Sequence, residues 1–193
     1  MRTPIRGRLA PAAATDRNPR LRRRSLLAAL LFTAVALTGA GQQAPPAHAV
    51  TFQPLRSWWN DGRGDNFATG TPEQEASARS ANYRSLRVEA WLWPDDGDNT
   101  LSGLYLFWNA DRQDYFSTAT RQGVDSAVSA GYQYIGVQGY VMGRYEAHTV
   151  PLRQYWSADR QDNFLTATPE GIRDAVAAGY TFVRIEGYVY PAT

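Results

Sequence analysis

Three stretches of the chain repeat one another without a gap, and this repetition limits what the chain can fold into. They span residues 54–94, 103–143 and 151–191, at offsets of 49 and then 48 residues. Self-similarity at one fixed period predicts that each copy is one structural unit packed against its neighbours. The aromatic positions that recur are Trp59/Trp108/Trp156, Phe67/Phe116/Phe164 and Tyr83/Tyr132/Tyr180.

Each unit predicts two short strands, a helix and a last strand. In the third copy, Leu152–Trp156 and Asp162–Thr166 flank a turn, a pattern typical of a hairpin. Thr168-Pro169-Glu170 then has the residues of a helix start, and a last strand runs from about residue 182 to residue 190. The predicted helices end at residues that tolerate the left-handed conformation: Asn82, Gly131 and Gly179.

A unit of this size is too small to bury its own apolar side, so the copies must share a core. We predict a β-rich α+β domain in which the three strand–strand–helix–strand repeats close with roughly threefold pseudo-symmetry, because closure hides sheet edges. A short open stack is the alternative. A β-trefoil has a similar length, but its units do not normally carry such a helix. In the first helix, Glu75 and Arg79 interrupt the apolar stripe and predict a more exposed helix with an ion pair.

The formal charge of +2 hides an asymmetry along the chain. Residues 1–49 hold eight arginines and one acid, so the other 144 residues hold 12 arginines and 17 acids, a net charge of −5. This negative balance argues against a nucleic-acid partner, which needs a positive field. The chain has no cysteine, which excludes disulfides, thiolate zinc sites and cysteine nucleophiles.

The first 49 residues have the features of a secretory signal peptide. Arg22, Arg23 and Arg24 precede an apolar run at 25–40, which is shorter than the about 20 residues that span a bilayer. Prolines and Ala47-His48-Ala49 follow, so we expect cleavage after Ala49. The arginines also resemble a twin-arginine signal. The prediction is a secreted, extracellular domain at 50–193 without a membrane attachment after cleavage.

The repeats resemble a secreted tandem-repeat family of unknown function from bacteria and fungi. Its units read roughly PLYRYYNP…DHFYTT…GYxxEGxxxYVYP, and the third copy matches with PLRQYW, DNFLTAT, AGY and EGYVYP. The resemblance covers nearly all of 50–193 and implies family membership rather than an activity. The family often has His after the repeated Asp, where this chain has Asn66, Tyr115 and Asn163. Any role of that His is therefore absent here.

No convincing catalytic constellation is present in the sequence. Outside the leader, His148 is the only histidine and no G-x-S-x-G motif accompanies it. A hydrolase could use carboxylate pairs, for which the candidates are Asp111 with Asp114, Asp159 with Asp162, and Glu186. Threefold repetition favours a structural role or a repeated binding site instead. We predict no catalytic residue, no cofactor and no metal, with calcium at the acidic loop 95–100 as a lesser hypothesis.

Aromatic, acidic and basic side chains that recur at equivalent positions are the candidate ligand-binding residues. If the repeated Trp59 and its equivalents point inward, their preceding neighbours point outward and form exposed aromatic plates. Plates beside planar polar groups suit a sugar, so we predict a non-catalytic module for a glycan or cell-wall polymer. An Asp/Glu hydrolase and an extracellular scaffold with a secreted protein partner are the alternatives. The candidates are Trp58, Phe107, Tyr155, Asp65, Asp114, Asp162, Arg63, Arg112 and Arg160.

Overall fold

The computed structural model describes residues 50–97 and 99–192, and within them each repeat has two strands, a helix and a third strand. The predicted signal peptide at 1–49 lies outside the described residues. The first repeat consists of β1 (Gln53–Asn60), β2 (Asp65–Thr69), α1 (Pro72–Ser80) and β3 (Arg84–Leu92). The second consists of β4 (Ser102–Asn109), β5 (Asp114–Thr118), α2 (Arg121–Ser129) and β6 (Gln133–Val141). The third consists of β7 (Val150–Ser157), β8 (Asp162–Thr166), α3 (Pro169–Ala177) and β9 (Thr181–Pro191).

The strands form two antiparallel sheets that are not closed into a barrel. One sheet has the order β2-β1-β3-β9-β7-β8 and joins the first repeat to the third, and the other has the order β5-β4-β6. Two isolated bridges, Trp93 with Tyr140 and Met142 with Tyr188, connect the ends of the last strands of successive repeats. The prediction of a β-rich fold with three helices is thus confirmed.

Local sequence signals set the ends of all three helices. Thr71, Thr120 and Thr168 are the N-caps, and each hydroxyl accepts a hydrogen bond from the backbone N–H three residues later. After each helix, the chain turns through a residue with a positive φ: Asn82 at 62°, Gly131 at 80° and Gly179 at 81°. Asparagine and glycine tolerate this conformation, which confirms the predicted helix ends.

The apolar core has two levels. A shared cluster collects equivalent residues from the three repeats: Leu55, Leu104 and Leu152 from the first strands, and Leu92, Val141 and Val189 from the last strands. Each repeat also buries a smaller cluster under its own helix, such as Tyr155, Phe164, Ala175 and Tyr180 in the third. The shared cluster explains how units of about 40 residues, each too small to fold alone, reach a stable core.

The predicted exposure of the paired aromatic residues is wrong. Trp58, Phe107 and Tyr155 have only 3, 3 and 5 % of their surface exposed, because they pack under the helix of their own repeat. Trp59 and its equivalents are half-buried instead. Alternation along a strand places the neighbours on opposite faces, as predicted, but the helix of each repeat covers the face that carries Trp58, Phe107 or Tyr155. Which face stays accessible depends on the arrangement of the repeats.

None of the helices within 50–97 and 99–192 is long and apolar enough to cross a membrane. The predicted ion pair in the first helix is present: Arg79 donates to Glu75 at 2.7 Å, and Arg56 of β1 donates to the same carboxylate at 2.9 Å.

Candidate functional site

The three repeated aspartates meet in the interior. Asp65, Asp114 and Asp162 begin β2, β5 and β8, and one oxygen from each lies within 4.8 Å of the others. All three are buried, with at most 2 % of their surface exposed. We call this group the aspartate cluster. It brings together residues from all three repeats that are about 50 positions apart in the sequence.

Each aspartate of the cluster accepts hydrogen bonds from its own repeat and from a neighbouring repeat. Within the repeat, the donor is the hydroxyl of Tyr83, Tyr132 or Tyr180. Across the repeats, the backbone N–H of Tyr115 donates to Asp65 at 3.2 Å, that of Asn163 to Asp114 at 2.9 Å, and that of Asn66 to Asp162 at 3.0 Å. The side-chain amides of Asn163 and Asn66 add further bonds at 2.8 and 2.7 Å.

Burial and mutual repulsion change the proton affinity of the cluster. Burial, and then the charges of Asp162 and Asp114, raise the pKa of Asp65 to about 10. Burial and the charge of Asp162 raise the pKa of Asp114 to about 8. Hydrogen bonding between Asp65 and Asp162 contributes to the raised pKa of Asp65, and it requires a proton on one of the two carboxyl groups. The cluster therefore carries fewer than three negative charges at neutral pH.

A second set of buried polar contacts connects the last strand of one repeat to the helix start of another. Glu186 of β9 accepts from Thr118, from the backbone N–H groups of Ala119 and Thr120 and from the Thr120 hydroxyl, at 2.7–3.2 Å. Its other oxygen accepts from Arg184 at 2.7 Å. A carboxylate at a helix N-terminus satisfies otherwise unpaired N–H groups and is favoured by the helix dipole.

Glu89 makes the equivalent contact, in which the hydroxyls of Thr166 and Thr168 donate to it at 2.6 and 2.8 Å. Glu89 and Glu186 with these partners are termed the glutamate contacts. The helix packs so closely here that a Cβ on Gly171 would lie 2.0 Å from the Thr166 hydroxyl oxygen, which requires glycine. The position equivalent to Gly171 is Gln74 in the first repeat.

The contact from the second repeat to the first is neutral. Gln138 replaces the glutamate and donates to the carbonyl of Ala68 and, at 3.3 Å, to Gln74. Gln74 in turn accepts from the backbone N–H of Gly70 at 2.9 Å. Gln74 thus accepts from the backbone before α1, as the glutamates do before the other two helices, and Gln138 connects the second repeat to it. The Gln138 Oε1 atom is buried without a hydrogen-bond partner within the described part of the chain.

The carboxylates that sequence analysis considered for catalysis make structural contacts within the protein. Glu186, Asp114 and Asp162 were candidates for hydrolysis, yet each is buried and accepts hydrogen bonds from protein donors. The three aspartates are the described residues that could hold a metal ion, and their oxygens also accept these hydrogen bonds. The cluster and the glutamate contacts therefore join the repeats. The calcium hypothesis for 95–100 depends on Asp98, which lies outside the described residues.

The repeated arginines lie between the repeats. The guanidinium carbon of Arg112 is 5.5 Å from the ring centre of Tyr132 and 5.4 Å from that of Trp156. Arg160 is placed in the same way between Tyr180 and Trp59, and Arg63 between Tyr83 and Trp108. Each arginine therefore connects the tyrosine of its own repeat to the half-buried tryptophan of another through cation–π contacts.

Two clefts open beside these arginines. The cleft between the second and third repeats has a volume of about 220 Å³. Its side chains include Arg112, Tyr132, Trp156, Asn163 and Arg184. The cleft between the third and first repeats has a volume of about 390 Å³, within the range of about 300–1,000 Å³ that small-ligand sites take. Its side chains include Trp59, Asn66, Arg84, Arg87, Arg160 and Tyr180.

Tyr115 fills the equivalent space between the first and second repeats. Its ring stacks on Phe67 with the ring centres 3.8 Å apart and lies 4.4 Å from the Trp108 ring centre. In the other two repeats this position is Asn66 or Asn163. We refer to the spaces beside Trp156 and Trp59 as the open clefts and to the space beside Trp108 as the filled cleft.

The structure thus brings together some of the predicted site residues and separates others. Arg112 and Arg160 line the open clefts, whereas Trp58, Phe107 and Tyr155 lie in the core. Sequence reasoning assigned Trp59 and Trp156 to the core and gave no role to Asn66 and Asn163. Two sequence features could have indicated the clefts. Tryptophan recurs at one position in all three repeats, and asparagine follows the repeated Asp in two of them.

The fold and the site define a class of β-rich repeat proteins, in which three strand–strand–helix–strand units meet at buried carboxylates. The family model described as Domain of unknown function (DUF5648) matches residues 54–190, from the first repeat to the last. The chain belongs to that family, in agreement with the resemblance to an uncharacterised family. No curated protein and no solved structure matches the chain.

Proposed function

We propose that this protein is a secreted, extracellular, non-catalytic module that binds a glycan or cell-wall polymer at the open clefts. The observation that carries the proposal is the pairing of an accessible tryptophan with planar polar side chains in two equivalent places. An aromatic face packs against the apolar face of a sugar ring, while arginine and asparagine can hydrogen-bond its hydroxyl groups.

The proposal includes the closed, roughly threefold arrangement of the repeats and export by the signal peptide at 1–49. Support for closure comes from the aspartate cluster, to which every repeat contributes, and from the glutamate contacts between repeats. A closed arrangement would place equivalent residues at each junction between repeats, which explains why the two open clefts have the same composition. Support for export comes from the basic, apolar and small-residue segments of the leader.

Replacing the cleft tryptophans is expected to remove binding. In residues 50–193, Trp59→Ala and Trp156→Ala should each weaken binding at their own cleft about tenfold or more, the loss typical of an aromatic anchor, and leave the other cleft able to bind. The double variant should show no binding. Glycan arrays followed by titration calorimetry would measure these changes, and circular dichroism would verify that the variants are folded.

The filled cleft supplies matched controls for this experiment. Trp108→Ala should retain binding, because Tyr115 already occupies the neighbouring space. Conversely, Asn163→Tyr should fill the cleft beside Trp156 in the way that Tyr115 fills its own, and should weaken binding while the tryptophan stays in place. A folded protein that binds no glycan or wall polymer would contradict the proposal, as would equal losses for Trp108→Ala and Trp156→Ala.

A protein-interaction scaffold is the second candidate, and two exposed apolar segments favour it. Tyr134 and Ile135 of β6 are 56 and 53 % exposed, and Phe182 and Val183 of β9 are 47 and 42 % exposed. Exposed apolar residues that follow one another on edge segments are typical of association surfaces. If these segments mediate self-association, analytical ultracentrifugation should show a concentration-dependent dimer that Tyr134→Ser with Phe182→Ser removes. A monomer at all concentrations would count against self-association.

A further inference from the structure

Each open cleft contains a guanidinium group without an acidic partner. Across residues 50–97 and 99–192, Arg112 and Arg160 have no carboxylate oxygen within 4.0 Å, although nine other ion pairs are present. Arg87 pairs with Glu89 and Asp174, and Arg184 pairs with Glu186. The unpaired charge in each cleft is therefore that of the repeated arginine.

The side chains that line the open clefts are mostly basic, although the domain as a whole carries a negative net charge. The cleft beside Trp156 is lined by two arginines and no acid. The cleft beside Trp59 is lined by three arginines and one acid, Asp174. The acids nearest the clefts are buried behind this lining, where Glu186 and Glu89 pair with Arg184 and Arg87 and the aspartate cluster accepts from lining side chains. The unpaired positive charge that faces each cleft favours a negatively charged ligand.

The filled cleft lacks part of this charge. The position of Arg87 and Arg184 is Gly136 in the second repeat, which leaves Arg63 as the arginine stacked there on Trp108. The second arginine is thus absent from the one inter-repeat space that Tyr115 occupies. Arg87 and Arg184 also balance the buried glutamates, which the second repeat replaces with Gln138. The charge that remains for a ligand is that of Arg112 and Arg160.

We propose that the open clefts recognise an anionic sugar, one that carries a carboxylate or a phosphate group. This inference rests on the proposed function and specifies its ligand class. The rings of Tyr132 and Trp156 hold the Arg112 guanidinium between them, and its Nη1 donates to the Tyr132 hydroxyl at 3.4 Å. A guanidinium has five N–H donors, so the remaining edge can make a bidentate contact with an oxyanion. The sugar ring then lies against the exposed face of the tryptophan.

Charge on the ligand is the variable to test. Methyl esterification of oligogalacturonate removes the carboxylate charge at the cost of one added methyl group, and a poly(glycerol phosphate) oligomer supplies the phosphate arm. Neutral xylo- and chito-oligosaccharides serve as uncharged references. Affinities for residues 50–193 would be measured by titration calorimetry at low and high salt. We expect binding of at least one anionic oligomer, about tenfold tighter than its uncharged counterpart and weakened by salt.

Variants assign this preference to the two arginines. Arg112→Gln and Arg160→Gln should each lower the affinity of their own cleft for the anionic oligomer about tenfold, and the double variant should bind it no better than an uncharged one. Arg160→Lys, which keeps the charge but loses the planar fork, should fall between wild type and Arg160→Gln. Arg63→Gln is the matched control in the filled cleft and should leave affinity unchanged. Melting temperatures would establish that each variant is folded.

The results of these titrations distinguish failure of the anionic preference from failure of glycan binding itself. Preference for the carboxylate or for the phosphate oligomer supports the inference and identifies the source of the anion. Equal affinity for oligogalacturonate and its ester, with no effect of Arg112→Gln or Arg160→Gln, overturns the anionic class but leaves glycan binding intact. Absence of binding to every oligomer overturns both.

Discussion

Glu186→Ala is expected to destabilise the domain by about 3–5 kcal/mol, the cost of removing one partner from a buried charged contact. The substitution leaves two backbone N–H groups at the start of α2 and two threonine hydroxyls without their acceptor. It also leaves Arg184, whose side chain is 15 % exposed, without its carboxylate. Chemical denaturation of residues 50–193 at neutral pH would measure the free energy of unfolding.

Two variants distinguish the contact from simple loss of volume. Glu186→Gln keeps one oxygen for the helix start but turns an amide towards Arg184, so we expect a smaller loss of about 1–3 kcal/mol. Gln138→Ala, at the equivalent position of the second repeat, removes a neutral side chain and should also cost about 1–3 kcal/mol. If Glu186→Ala unfolds at the same denaturant concentration as wild type, the glutamate contacts do not hold the repeats together.

The sequence was sufficient to predict the unit of structure because local signals agree in all three copies. Thr168-Pro169 begins a helix, Gly179 ends it, and the predicted strand Asp162–Thr166 coincides with β8. These features depend on residues close in sequence, for which capping and backbone conformation are decisive. The shared core also followed from the small size of each unit.

The site could not be predicted in the same way, because it forms between repeats. Period-two alternation separates Trp58 from Trp59, yet only the packing of the repeats decides that Trp58 lies under α1 while Trp59 borders a cleft. The recurrence of Asp65 and its equivalents was visible, but their convergence within 4.8 Å was not. The sequence shows that Tyr115 replaces the asparagine of the other two repeats, but only the structure shows that its ring fills a cleft.

The stability of the domain is expected to fall as the pH rises from about 5 to 8. The unfolded carboxyl groups lose their protons near their ordinary pKa of 3.8, whereas Asp114 and Asp65 keep theirs to about pH 8 and 10 in the native state. The native state then binds more protons than the unfolded state, so raising the pH favours unfolding. Each such group contributes up to about 1.4 kcal/mol per pH unit in this window.

Asp65→Asn isolates this effect from the other titrating groups. The amide of this variant can replace the proton that Asp65 shares with Asp162, and its remaining oxygen can still accept from the backbone N–H of Tyr115. Relative to wild type, we expect Asp65→Asn to become more stable by about 1.4 kcal/mol for each unit between pH 5 and 8. Urea denaturation at several pH values would measure this difference.

Asp114→Asn is the contrasting variant within the aspartate cluster. Asp114 accepts from both the backbone N–H and the side-chain amide of Asn163, so an amide at position 114 would place one donor against another. Above about pH 8, where Asp114 has lost its proton, we expect this variant to lose about 1–3 kcal/mol, whereas Asp65 keeps its proton to about pH 10. A stability difference between Asp65→Asn and wild type that does not change with pH would mean that Asp65 is ionised in the folded protein. The cluster would then hold its three carboxylates together by hydrogen bonds alone, without a shared proton.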